Sequence, residues 1–237
     1  FTYSIDIIWD IIKVGLPASL SMIVMAVGQG VFNKILVHIS VNTVAAYQVA
    51  GRLDMLVFLP IFSIAASLTT LVGMFYGAKE YGALRYIIKY GIFSALLITI
   101  ISSTIVYTFA GHVVRFFTDD ASIVIIAVNF LQIFAFAYPF ISVGITTGRV
   151  LQGLGKGLPV LIITIVRVLG VSAPLALFFV FIMDKTVEWV WYSMMLSTIL
   201  AFGIGLTWLI STLKTLPTSG PVSYTHSEPT RQIRIAY

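Results

Sequence analysis

The chain has 237 residues, 59% of them hydrophobic and only 10% charged, whereas a soluble domain is about 45–50% apolar and about 25% charged. With a mean hydropathy of +1.04 it cannot cover its own surface with polar groups, so a water-soluble globule and a disordered chain are both excluded. The net charge of +5 then bears on membrane topology and not on nucleic acid, while zero cysteines and three scattered histidines (His38, His112, His226) exclude a disulfide framework and argue against a metal centre.

Taken in chain order, the first element is a short one. Ile7, Ile8, Ile11 and Ile12 fall on one helical face between Ile5 and Lys13, with Asp6, Asp10 and Lys13 elsewhere. Residues 1–13 therefore read as an amphipathic helix lying at the membrane interface, or as a linker. Six apolar runs follow, each long enough for the roughly 20 residues that a spanning helix needs. They cover Val14–Ile39, Thr43–Tyr76, Tyr90–Val114, Ser122–Val150, Leu158–Met183 and Val187–Leu213. The runs are continuous and do not alternate as the strands of a membrane barrel would. The fold class is all-α: a polytopic bundle of six transmembrane helices across residues 14–216, with short turns between antiparallel neighbours. Gly77–Ala83 is the longer polar loop between the second and third spans, and Asp119 or Thr118 offers a cap to the fourth.

Lys and Arg set the expected orientation. Lys13, Lys79, Arg85, Lys89, Arg149, Lys156 and Lys214 collect on one side. Lys34, Arg115 and Lys185 lie on the other, beside Asp119, Asp120, Asp184 and Glu188. The basic side is expected in the cytoplasm, with both chain ends. From Pro217 to Tyr237 the composition turns polar and loses helical period. Pro221–Arg231 resembles a translated sequencing-library adaptor, so the native sequence is expected to stop near Gly220. The start at Phe1 fits a piece of a longer protein.

Ionisable groups at membrane depth are costly unless they are paired or face water, which makes them candidates for function. Arg52 and Asp54 sit about ten residues into the second span, roughly 15 Å deep at 1.5 Å per residue. Gln48 lies one turn before Arg52. The first span offers Gln29, Asn33 and Lys34 at similar depth. These residues read either as the lining of a wet cavity or as a hydrogen-bonded clasp between two helices. Asp54 is the stronger functional candidate, because a carboxylate can take up a proton or a cation. Arg167 in the fifth span and Gln132 in the fourth are further cavity candidates. Pro17, Pro60, Pro139 and Pro174 fall inside four spans and can break backbone hydrogen bonding there. Gly153-Leu154-Gly155-Lys156-Gly157 lacks P-loop spacing, and no HExxH, GxSxG or paired catalytic carboxylates occur. The expectation is a non-enzyme without a cofactor, driven by an ion gradient or an outside partner.

Three stretches carry a resemblance. The first is Asn33-Lys34-Ile35-Leu36 followed by Val44-Ala45-Ala46-Tyr47-Gln48-Val49-Ala50-Gly51-Arg52. The second is Leu71-Val72-Gly73-Met74-Phe75-Tyr76-Gly77-Ala78-Lys79. The third is Phe117-Thr118-Asp119-Asp120, then Pro139-Phe140, then Leu151-Gln152-Gly153-Leu154-Gly155-Lys156. Their order and spacing resemble the C-terminal six-helix lobe of a multidrug and toxic compound extrusion (MATE) transporter, with Met74 where the family usually has Gln. The resemblance implies a twelve-helix protein of two pseudo-symmetric lobes that rock about a central cavity. It implies exchange of Na⁺ or H⁺ for small organic cations, in the inner membrane of a prokaryote, with the N-terminal lobe of the same polypeptide as partner. In many members the key cation-binding aspartate lies in that other lobe. Others carry acids in helices matching the first and fourth spans, where this chain has none, and Asp54 is left as the one carboxylate at depth. Two alternatives stay open: a lipid-linked oligosaccharide flippase of the same superfamily, using Arg52, Lys34 and Arg167 around a pyrophosphate, and a non-transporting or homodimerising membrane half-unit.

Overall fold

The computed structural model describes residues 5–217. Within them the chain is a bundle of six long helices: α1 (Ile5–Ile39), α2 (Val41–Gly77), α3 (Tyr81–Arg115), α4 (Ala121–Gly153), α5 (Leu158–Ile182) and α6 (Val187–Lys214). All six are long and apolar enough to cross a membrane, and the protein is a multi-pass membrane protein. The expected tail lies outside the described residues, except for Pro217.

Two element ends differ from the sequence reading. The stretch before the first span is helical from Ile5 and runs into α1 without a break. The polar loop ahead of the third span is shorter than expected, because α3 starts at Tyr81 and not at Tyr90. Arg85, read from the sequence as one of the basic-side charges, has a further use at a helix end. It donates from Nη2 to the carbonyls of Leu213 (3.2 Å) and Leu216 (3.0 Å), adding side-chain donors at the C-terminal end of α6.

The turns follow local chemistry. Ser40 caps α2 by accepting from the Thr43 amide at 3.1 Å. Asp120, and not Thr118 or Asp119 as expected, caps α4 by accepting from the amides of Ser122 (2.8 Å) and Ile123 (3.3 Å), the two that its position just before the helix puts in reach. Hydrogen bonds from Ser122 and then Ile123 hold its carboxyl below the ordinary carboxylate range. Gly155, at φ +76°, takes the left-handed position that ends α4.

Helix α4 is the central element, packed against α2, α3 and α6. It carries the most buried face of the bundle. Its Phe130 and Phe134 stack on each other, and Trp191 of α6 meets Phe130 edge-on with centroids 4.8 Å apart. Tyr47 of α2 stacks on Trp191 at 5.8 Å. Leu68, Val72, Leu84, Ile88, Val150, Leu151, Leu154 and Leu209 form a second, separate core cluster at the other end of the bundle. Close approach there depends on glycine. A Cβ on Gly153 would lie 2.7 Å from the Thr69 carbonyl, and one on Gly157 would lie 2.8 Å from the Val14 carbonyl.

The prolines are accommodated in different ways. Helices α1, α2 and α4 continue as α-helix through Pro17, Pro60 and Pro139. Pro139 has no N–H for the Ala135 carbonyl, and the Ser103 hydroxyl of α3 donates to that carbonyl in its place. Helix α5 is irregular. It leaves α-helical pairing for π-helical turns at Val166–Ser172 and again at Phe178–Ile182, on either side of Pro174.

Candidate substrate and ion cavity

Two cavities open at membrane depth. The first, about 150 Å³, lies among α1, α2, α4, α5 and α6. Gln29, Tyr47, Arg167, Ser172, Ser197 and Thr198 supply its polar wall; Met25, Phe32, Phe134 and Met194 contribute apolar surface. The second, about 350 Å³, lies among α3, α4 and α6 and is lined by Tyr107, Asn129, Gln132, Phe136, Tyr192 and Met195 with Ile133.

The sequence candidates do not form one group. Gln29 and Arg167 line the first cavity. Gln132 faces the second instead, one helical turn from Asn129, whose buried Oδ1 has no hydrogen-bond partner among the described residues. Asn33 and Gln48 bond to each other across the α1–α2 hairpin, Gln48 Nε2 donating to Asn33 Oδ1 at 3.3 Å, in an exposed position. Lys34 and Arg52 are exposed and line neither cavity. The polar hairpin expected from the sequence is thus divided into a clasp, a cavity residue and two outward cations. Helical phase explains the division: Asn33 and Gln48 meet across the turn, while Gln29 lies one turn deeper and reaches the α5 side.

Asp54 points the other way, toward α4. Its Oδ1 accepts a hydrogen bond from the hydroxyl of Tyr138, a side chain wholly buried on α4. Phe58 packs edge-on against Tyr138 with centroids 5.2 Å apart. Tyr47, two helical turns before Asp54 on α2, lines the first cavity. Among the described residues no three His, Cys, Asp or Glu side chains gather, and the side-chain hydrogen bond found there for Asp54 comes from the Tyr138 hydroxyl. Sequence reasoning missed both tyrosines. Their only signal was a hydroxyl deep in an apolar run, which costs free energy unless it finds a partner.

What this arrangement can do follows from its chemistry. A carboxylate held between two helices can take up and release a proton or a monovalent cation. Beside it lies a cavity with aromatic walls and one fixed guanidinium.

The MatE family model matches residues 17–178. The chain is 28% identical over 167 residues to the probable multidrug resistance protein NorM of Thermotoga maritima, covering 70% of this chain and 36% of that protein. It is 28% identical over 152 residues to the multidrug export protein MepA of Staphylococcus aureus, covering 64% and 34% respectively. The crystal structure of a MATE transporter in the straight conformation superposes with a TM-score of 0.85 at 28% identity, over 91% of this chain and 48% of that one. The matched part is thus about a third of these curated relatives and about half of the solved transporter.

Proposed function

The chain belongs to the MatE family, and from that premise we propose that it is the C-terminal six-helix lobe of a secondary active multidrug efflux antiporter. The lobe works with an N-terminal lobe of the same polypeptide. Rocking of the two lobes carries amphipathic organic molecules, organic cations by family likeness, out of the cell in exchange for Na⁺ or H⁺. The basic side of the bundle faces the cytoplasm of a prokaryote, with both chain ends.

One observation carries the reading. Asp54 is the only carboxylate within the membrane-spanning interior of the sequence, and it is bridged to α4 through Tyr138 beside the aromatic cavity. An ion taken up there changes the charge at a contact between α2 and α4, which is what coupling ion binding to helix movement requires. The flippase alternative asks for several cations around one cavity. Arg167 is the one lysine or arginine that lines the first cavity, and none lines the second.

The test is ethidium efflux from proteoliposomes that hold the full-length transporter, driven by an imposed Na⁺ or proton gradient. The wild type exports dye down one of these gradients. Asp54→Asn, which cannot exchange a proton or balance a cation, loses gradient-driven efflux. Wild-type efflux by the Asp54→Asn variant would overturn the role of Asp54.

A further inference from the structure

We propose that Arg167 anchors an anion subsite in the first cavity, so that the exported molecule is held on this side by a carboxylate attached to an aromatic group. This deepens the efflux reading and rests on it.

Four observations converge. First, the cavity wall contains one charged residue, Arg167, and no carboxylate. Its guanidinium lies near the middle of a membrane-spanning helix, and the Tyr47 phenol lines the same wall. A guanidinium in such a place is stabilised by an anion that enters with the ligand. A cationic ligand group at the same point would be repelled.

Second, the donors left in the cavity gather at Arg167, Tyr47 and Gln29, because the Ser197 and Thr198 hydroxyls are spent as donors and keep only acceptor capacity. The hydroxyls of Ser197 and Thr198 already donate to the Met194 carbonyl at 2.8 and 2.9 Å. Arg167 offers a planar fork of N–H groups, and the Tyr47 hydroxyl and Gln29 amide line the same space. A fork of donors matches the two oxygens of a carboxylate.

Third, Arg167 is carried by the π-helical segment Val166–Ser172. Such wide turns recur at functional sites. The approach of α1 to this turn depends on Gly28, where a Cβ would lie 2.2 Å from Val168 Cγ1.

Fourth, the volume and walls suit an aromatic body. The cavity of about 150 Å³ equals the size of apolar cavities that hold benzene, about 150 Å³. Phe32 and Phe134 present rings to it.

The experiment measures saturable binding of radiolabelled salicylate and of tetraphenylphosphonium to the full-length transporter in phosphatidylcholine nanodiscs. The expected result is saturable salicylate binding that weakens about tenfold or more in Arg167→Gln. Arg167→Lys keeps the charge but loses the fork, and gives a smaller loss. Tetraphenylphosphonium binding persists in Arg167→Gln, which shows that the variant is folded. Should Arg167→Gln not fold, the comparison of wild type with Arg167→Lys decides: equal salicylate affinity overturns the subsite. Salicylate affinity unchanged in Arg167→Gln overturns it as well. Binding of tetraphenylphosphonium without salicylate overturns the anion subsite and leaves the efflux reading in place. Binding of neither probe removes both.

Discussion

Tyr138 of α4 donates its hydroxyl to the carboxylate of Asp54 of α2, and this contact ties the central helix of the bundle to the one acid at membrane depth. The pair has a structural consequence that can be separated from transport. Tyr138→Phe keeps the ring against Phe58 but leaves Asp54 without its donor. The expected loss is about 1.5–3 kcal/mol, the value of a hydrogen bond to a charged group. Thermal unfolding in detergent measures it, and an unchanged midpoint would mean that the contact contributes nothing to the fold.

Helix crossing near the second core cluster depends on missing side chains. Gly153→Ala would bring a methyl to 2.7 Å from the Thr69 carbonyl and 3.0 Å from Val72 Cβ. Backbone cannot turn aside as a side-chain tip can, so the expected cost is about 1–3 kcal/mol. Gly51→Ala faces open space in the chain and is expected to gain up to about 1 kcal/mol from helix propensity. The two variants compared by thermal unfolding should move in opposite directions.

The Asp120 cap gives a pH dependence with a definite sign. Its folded carboxyl is held below the ordinary value near 3.8 by hydrogen bonds from Ser122 and Ile123. A group depressed by folding adds stability above its unfolded value, and that stability is lost as pH falls through the lower folded value. Asp120→Ala should therefore reduce amide protection at Ser122 and Ile123 at pH 7. The difference from wild type should close as the pH drops below about 4. A difference that grows on acidification would contradict the cap.

The indole N–H of Trp191 is buried without an acceptor among the described residues, although its ring is held by Tyr47 and Phe130. Its contribution is therefore packing. Trp191→Phe keeps most of the ring stack and removes the unsatisfied donor, so it should cost less than about 1.5 kcal/mol. Trp191→Ala opens a hole and should cost about 3–5 kcal/mol. Equal losses in the two variants, read as shifts in unfolding midpoint, would mean that the N–H has an acceptor after all.

The bundle was legible in the sequence because membrane spans announce themselves by length and hydropathy, whereas the cap of the fourth span was placed at Thr118 or Asp119 and falls one residue later, on Asp120. Asp54 was legible for the same reason, as a charge inside an apolar run. Its partner was not. Tyr138 resembles any other aromatic in a core helix until α4 is placed beside α2. Gln132 shows the complementary difficulty. Helix α4 is apolar nearly all round, so periodicity does not tell which face meets α2 and which meets α3 and α6. Gln132 falls on the second of these, away from Gln29 and Arg167. Arg85 read as a topology charge on the basic side, because its other role, holding the carbonyls of Leu213 and Leu216, joins residues far apart in the chain.

The wide turns of α5 also change how that helix is counted. A π-helical turn amounts to an α-helical turn with one surplus residue, so each of the two segments shifts the angular bookkeeping of everything beyond it. A helical wheel drawn from Leu158 onward loses its phase at Val166, and Arg167 lies just past that point. Deleting a single residue between Val166 and Ser172 would restore a regular screw and rotate the following turns by about 100° relative to Leu158–Ile165. The residue count of the helix, as much as residue identity, therefore sets whether the side chains toward the end of the turn, Ser172 of the cavity wall among them, face the cavity or turn away from it.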